Sequence, residues 1–346
     1  TVAAHVKAIQ KVRELKKIDE ETGKSRIPQD FKLTLGNEIY LVNSIEEVQE
    51  NYESGVTKFP HFLLLAKDIE AHEMLRGLSS QAWSQSFYTG AMERVPTTKA
   101  QLEEAIRSNP NKLIGSSACL GSESSIHILN GDFDKAKDFL KWCSNLFGKG
   151  NFFLEMQPAI GGEQRIVNEK LIEFSNELGI DLIITSDVHY LRPEDADIHA
   201  SYLNSKGGER EVAEFYSNTY LHTNEEIYEK LSYIDESIIT KALENTLKIG
   251  EMIEEYTIEA DIVIPKITLP EFTLRHLFKK GYKRYNYIYE MAHSENEQDR
   301  YLIHLIEEGF LEYIPYQSVS QEYFHTMMAR INIELGQLWA ISKLLN

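Results

Sequence analysis

The run Leu182-Ile-Ile-Thr-Ser-Asp-Val-His189 constrains this chain more than any other stretch. It opens on apolar and β-branched residues with no polar alternation. Such a run reads as a strand buried on both faces, as in a parallel sheet covered by helices. It then ends abruptly in polar residues. Residues i and i+2 of a strand share a face, so Asp187 and His189 are expected to project together from its C-terminal end. In barrels of alternating strands and helices, chemistry is built at that end. A carboxylate beside an imidazole is half a site for zinc or manganese. For an isolated D-x-H, a helix cap beside a rim histidine is the commoner account of the same residues.

Other apolar runs repeat the pattern. The spacing predicts strands near 32–42, 61–66, 112–115, 151–156 and 181–187. Helical patterns lie between and around them, at 2–18, 69–78, 98–107, 132–146 and 164–178, with Gly148 and Gly179 just past two of the ends. This alternation argues for an α/β fold with parallel strands, closed as a barrel. A short helix is expected from Pro193 through His199 and Tyr202, then helices at 224–231 and 236–255. Ile264 to Pro270 carries two prolines around an extended segment and reads as a linker. Residues 273–346 read as helices. Both ends read as cuts, since helical patterns are already running at Val2 and still running at Leu345.

Charge narrows the function. Fifty-four acidic against 36 basic residues leave a formal net charge of −18. That excludes a broadly basic nucleic-acid-binding surface and suits cation sites or a basic protein partner. The only cysteines, Cys119 and Cys143, imply no disulfide framework and a reducing, cytoplasmic setting. No apolar run approaches the roughly 20 residues that span a bilayer, and no signal peptide is visible, so no membrane is expected.

Five residues fall at or beside the apolar runs: Glu38, His61, Cys119, Asp187 and His189. Parallel strands of one barrel bring their ends to a common rim. Carboxylate, imidazole and thiolate are all zinc ligands. Singly, each has an ordinary explanation: an exposed strand acid, a rim histidine, a buried inert thiol.

Together they lie in motifs that resemble a known family. Gly36-Asn-Glu-Ile-Tyr40, His61-Phe-Leu-Leu-Leu-Ala-Lys67, Leu78-Ser-Ser80, Ser117-Ala-Cys-Leu-Gly121, Phe153-Leu-Glu-Met-Gln157 and Thr185-Ser-Asp-Val-His-Tyr-Leu191, followed by Glu194-Asp195-Ala196, are similar to motifs of the PHP (polymerase and histidinol phosphatase) domain of bacterial DNA polymerase III alpha subunits. Order and spacing match over about residues 1–265. The resemblance implies a distorted (βα)7-like barrel, followed at 266–346 by the mainly helical start of a polymerase region. It also implies that Glu38, His61, Cys119, Asp187 and His189 are metal ligands, with Glu38 bridging and Asp187 and Glu38 catalytic. Zinc or manganese is the implied cofactor, up to three ions in a complete site. The family's H-x-H and Asp-His motifs would fall before Thr1, and its polymerase aspartates beyond Asn346. The implied activity is metal-dependent phosphoester hydrolysis, as a 3′–5′ exonuclease, within a bacterial or phage replicative polymerase. DNA and other replisome proteins would be partners through that parent. The alternatives are an inactive structural PHP scaffold and a stand-alone PHP small-molecule phosphatase.

The remaining histidines read as surface or core residues, with His199 the exception to watch because it adjoins the D-x-H run. Trp83, Phe87 and Tyr88 read as core. Glu155 reads as either a rim residue or a support behind it.

Overall fold

The computed structural model describes residues 2–19, 22–53, 59–90, 92–205, 216, 218–260, 268–275, 284–313 and 319–345. The chain divides into two compact units, Thr1–Glu259 and Ala260–Asn346. The first unit begins with α1 (Val2–Lys16), β1 (Gly36–Val42), α2 (Ile45–Glu53), β2 (His61–Ala66) and α3 (Ile69–Ser84). Next come β3 (Phe87–Thr89), β4 (Met92–Arg94), β5 (Pro96–Thr98), α4 (Lys99–Ser108), β6 (Leu113–Ser116), α5 (Glu123–Leu129) and α6 (Phe133–Phe147). It ends with β7 (Phe152–Met156), α7 (Gly162–Leu178), β8 (Leu182–Ile184), α8 (Ala196–Asn204), α9 (Asn224–Lys230) and α10 (Glu236–Met252).

Local chemistry fixes the helix ends. The Asp68 carboxylate accepts from the Ala71 N–H and starts α3. Thr98 and Gln101 form a reciprocal capping box at α4, and Thr223 and Glu226 form another at α9. Helix α6 buries Ala136, Phe139, Leu140, Cys143 and Phe147, a single stripe at helical spacing.

Six strands form one sheet in the order β5-β1-β2-β6-β7-β8. Five run the same way, and β2 alone runs opposite, antiparallel to both β1 and β6. One face, carrying Phe62, Leu64, Ala66, Leu113, Leu154, Met156 and Leu182, packs under the helices in the main core. Each such fully buried large apolar side chain contributes about 1.5–3 kcal/mol. On the other face Ile114, Phe153 and Ile183 meet Ile249 and Ile253. Two residues further along β6 and β7, that same face turns polar at Ser116 and Glu155.

The mixed α/β class with a helical C-terminal part is as the sequence indicates, but four expectations need correcting. The strands are not all parallel, because β2 is reversed. Residues 32–35 are not strand: the Lys32 ammonium donates to the Gly250 and Ile253 carbonyls, and only Leu35 is buried. The last strand stops at Ile184 rather than 187. Trp83 and Tyr88 are exposed, not core. Elements α2, α5, β5 and the β3–β4 hairpin were not anticipated.

The second unit holds α11 (Asn286–Ala292), α12 (Glu297–Tyr313) and α13 (Gln321–Leu345). They enclose a core of Ile288, Met291, Ile303, Phe310, Met328 and Leu335. Asn332 Oδ1 accepts from the Tyr287 and Ile288 N–H groups at the start of α11. Most of the expected linker, including Pro265, lies outside the described residues, as do His276 and Asn346.

Candidate metal centre

The reversal of β2 decides where His61 stands. His61 is the first residue of β2, paired with Tyr40 near the C-terminal end of β1 and bridged to Ser122 beyond β6. An all-parallel sheet would have put it at the opposite end from Asp187. Glu38 lies two pairs along β1, opposite Leu63, on the same face as His61. Its Oε1 is 2.7 Å from His61 Nδ1. Cys119 Sγ lies 3.4 Å from the same nitrogen. The loop after β6 makes room for the ring: the His61 N–H donates to the Gly121 carbonyl, and a Cβ on Gly121 would meet the imidazole at 3.3 Å.

Asp187 and His189 share the rim for a different reason than strand alternation. The chain has left β8 and turns, with Asp187 in the left-handed region at φ 43°. His189 is held by its N–H, which donates to the Thr219 carbonyl at 2.8 Å. The turn brings Asp187 Oδ1 to 3.5 Å from His189 Nε2. That contact raises the His189 pKa, against burial and helped by the charge of Glu38. The Cys119 thiol is 6% exposed. Burial pushes it far above the ordinary thiol value, and the charges of Asp187, Glu38 and Glu155 push the same way. Both halves of the rim therefore lie within electrostatic reach of each other.

All five expected residues thus gather at one rim. In kind they suit a divalent transition ion: two carboxylates, two imidazoles and one thiol. Glu38 and Cys119 both meet His61 Nδ1, yet among the described residues no group of three or more His, Cys, Asp or Glu side chains is arranged to hold a metal ion. Four residues support the rim. His199, the histidine to watch, and Tyr216 pack against the His189 ring, with centroids 5.6 and 4.9 Å away. His222 Nδ1 lies 3.2 Å from Ser186 Oγ. Glu155 is buried, which favours a support over a rim residue. Tyr216 and His222 were not foreseen, because they reach the rim from chain distant in sequence.

A mixed α/β sheet with this rim defines the class of the chain. Residues 3–159 match the family model "PHP domain". Glu38, His61 and Cys119 fall inside the match, and Asp187 and His189 lie beyond it. The relatives are DNA polymerases. The chain is 52% identical over 359 aligned residues to "Probable DNA polymerase YorL" of Bacillus subtilis, an alignment covering 100% of this chain and 27% of that protein. It stands in the same relation to a "DNA-directed DNA polymerase" of Bacillus phage SPbeta. It is 30% identical over 265 residues to "DNA polymerase III subunit alpha" of Borreliella burgdorferi, covering 73% of this chain and 22% of that one. The chain thus spans about a quarter of the length of these relatives. Among the described residues no helix is long and apolar enough to cross a membrane.

Proposed function

We propose that this chain is the PHP part of a DNA polymerase III alpha-like replicative polymerase, and that its rim binds divalent cations and hydrolyses phosphodiesters from 3′ ends. In this reading residues 1–265 are the PHP domain and 266–346 begin the polymerase region. DNA and other replisome proteins are partners of the parent protein. The observation that carries the reading is the gathering of Glu38, His61, Cys119, Asp187 and His189 at one rim, reached from four separate stretches of chain. Like charges at such a site raise each other's cost of ionisation, and a cation removes that cost.

Zinc or manganese, when bound, supplies a Lewis acid for the phosphoryl oxygens and makes water acidic enough to attack near neutral pH. The protein's own groups do the rest. Glu38 orients the His61 ring through its 2.7 Å contact. Asp187 does the same for His189. The two carboxylates hold cations, and the thiol and imidazoles set their number and preference.

The test is release of nucleotides from a labelled single strand by the full-length polymerase, with manganese or zinc. Chelator should abolish it, and Asp187→Asn should lower it more than about 100-fold, given that even supporting partners of metal ligands are worth 10–100-fold. Hydrolysis surviving both would place the activity elsewhere. One observation favours a second reading, a structural scaffold: among the described residues the rim side chains form no group of three or more arranged to hold a metal ion. Metal-loaded, full-length protein without any hydrolysis would favour that reading.

A further inference from the structure

Glu155 lies in the middle of β7 at 5% exposure, and the chemistry proposed above does not use it. Its carboxylate is divided between two neighbouring strands. Oε2 accepts from the Ser116 hydroxyl and Oε1 from the Thr185 hydroxyl, each at 2.5 Å. Ser116 is the last residue of β6, and Thr185 is the first residue past β8. The Glu155 N–H in turn donates to Ser117 Oγ at 2.8 Å.

Just beyond each anchored residue the chain does something unusual. It takes a positive φ at a residue other than glycine, at Ala118 (53°) after Ser116 and at Asp187 (43°) after Thr185. Such residues keep that conformation only where their surroundings fix it. Each turn delivers part of the rim: the first presents Cys119, the second Asp187 and His189.

We infer that Glu155 is the positioning residue of both halves of the rim: one buried carboxylate pins the two strand ends from which the Cys119 turn and the Asp187–His189 turn set out. The purpose of this arrangement rests on the metal-centre reading, whereas the clamp itself does not. A carboxylate suits the task because it accepts at both ends, from two hydroxyl donors at once. An amide offers one acceptor and one donor, so one hydroxyl must reverse. That reversal competes with the Ala118 N–H, which donates to Ser116 Oγ at 3.4 Å. Burial of an acid beneath two further carboxylates would otherwise be an unfavourable place for it.

The experiment compares Glu155→Gln, Ser116→Ala and Thr185→Val in the whole chain, with Asn168→Ala as a control. Asn168 makes buried hydrogen bonds to the Gln157 backbone, two residues past Glu155, and to Gln164 and Tyr233, but bonds none of the three clamp side chains. Amide hydrogen exchange without metal reads the turns directly. Glu155→Gln should speed exchange at 117–120 and 186–190 together. Ser116→Ala should affect only the first segment and Thr185→Val only the second. Asn168→Ala should lower stability without singling out either. A cobalt(II) titration reads the consequence. Glu155→Gln should weaken binding about 10–100-fold, the usual effect of losing a partner behind a metal ligand. It and Ser116→Ala should reduce the thiolate-to-cobalt absorption from Cys119, and Thr185→Val should leave that band in place. Exchange in Glu155→Gln that is unchanged, or raised evenly as in the control, overturns the inference. If Glu155→Gln does not fold, the two single-arm variants decide by the same criterion. Wild-type protein that binds no cobalt contradicts the metal reading instead, and the exchange result still judges the clamp.

Discussion

Cys119 and Cys143 are both held protonated, for related reasons. Burial comes first in pushing both thiols up, with Glu123 the charge that adds to it at Cys143 and Asp187 the leading charge at Cys119. The thiolate is the reactive form, so iodoacetamide should label either native thiol more than ~100-fold slower than a free cysteine at neutral pH. Peptide mapping after a short pulse checks this; Cys119 labelled at the free rate would contradict the buried, acid-flanked thiol described here. Glu155 gives a pH dependence. Burial raises its pKa from the ordinary 4.5, with the Ser116 and Thr185 hydroxyls opposing. A carboxyl that holds its proton more tightly when folded stabilises the fold fully below the unfolded value. That contribution is lost as pH rises through the raised folded value. Glu155→Gln has no such proton to lose. Its stability deficit relative to wild type should therefore shrink between about pH 5 and pH 8, as measured by urea midpoints with chelator present. A deficit that grows over that range would show the carboxyl to be ionised comfortably in place. At this scale the sequence disclosed the donors themselves, because their types are distinctive beside apolar runs. It did not disclose the clamp, because Ser116, Glu155 and Thr185 meet only when three strands stand side by side.

Among the elements, the strands that carry the rim were legible wherever apolar residues cluster, as in His61–Ala66 and, despite Glu155, Phe152–Met156. Pairing direction was not, since the run of β2 looks the same from either end. The Asp187–His189 pair was found by an argument the structure replaces, a turn in place of a strand, because Ser186 and Asp187 turn out of the sheet where the polar residues begin. Helix α2 escaped notice because Glu46, Glu47 and Glu50 dilute a short apolar stripe. Strand β6 offers a test of how tightly the sheet meets its helices. A Cβ on Gly115 would lie 2.7–3.1 Å from the Phe147 ring of α6. Gly115→Ala should destabilise by about 1–3 kcal/mol through overpacking. Combined with Phe147→Leu it should cost less than the two single changes summed, since each relieves the other. Denaturant titration of the four proteins measures the coupling, and strict additivity would mean that β6 and α6 do not press on each other there.

On the scale of the whole molecule, each compact unit has its own apolar core, and the formal charge is −18. Nucleic-acid affinity is dominated by counterion release at basic surfaces. Despite its polymerase relatives, this chain alone should bind a labelled single strand weakly, with Kd above about 10⁻⁶ M at physiological salt. Fluorescence anisotropy would check it. Tight, steeply salt-dependent binding would reveal a basic surface that the composition gives no reason to expect. Engagement of DNA would then be a property of this chain itself. The central claim is narrower: the rim holds a divalent ion. Anomalous diffraction from crystals soaked in zinc or manganese tests it most directly. The account predicts a peak bounded by Glu38, His61, Cys119, Asp187 and His189, with zinc about 2.0–2.3 Å from its ligand atoms. For that peak to form, His61 either gives up its Nδ1 contact with Glu38 or ligates through Nε2 with that contact kept. Anomalous peaks found only elsewhere, with Glu38 and His61 still bonded to each other, would contradict it.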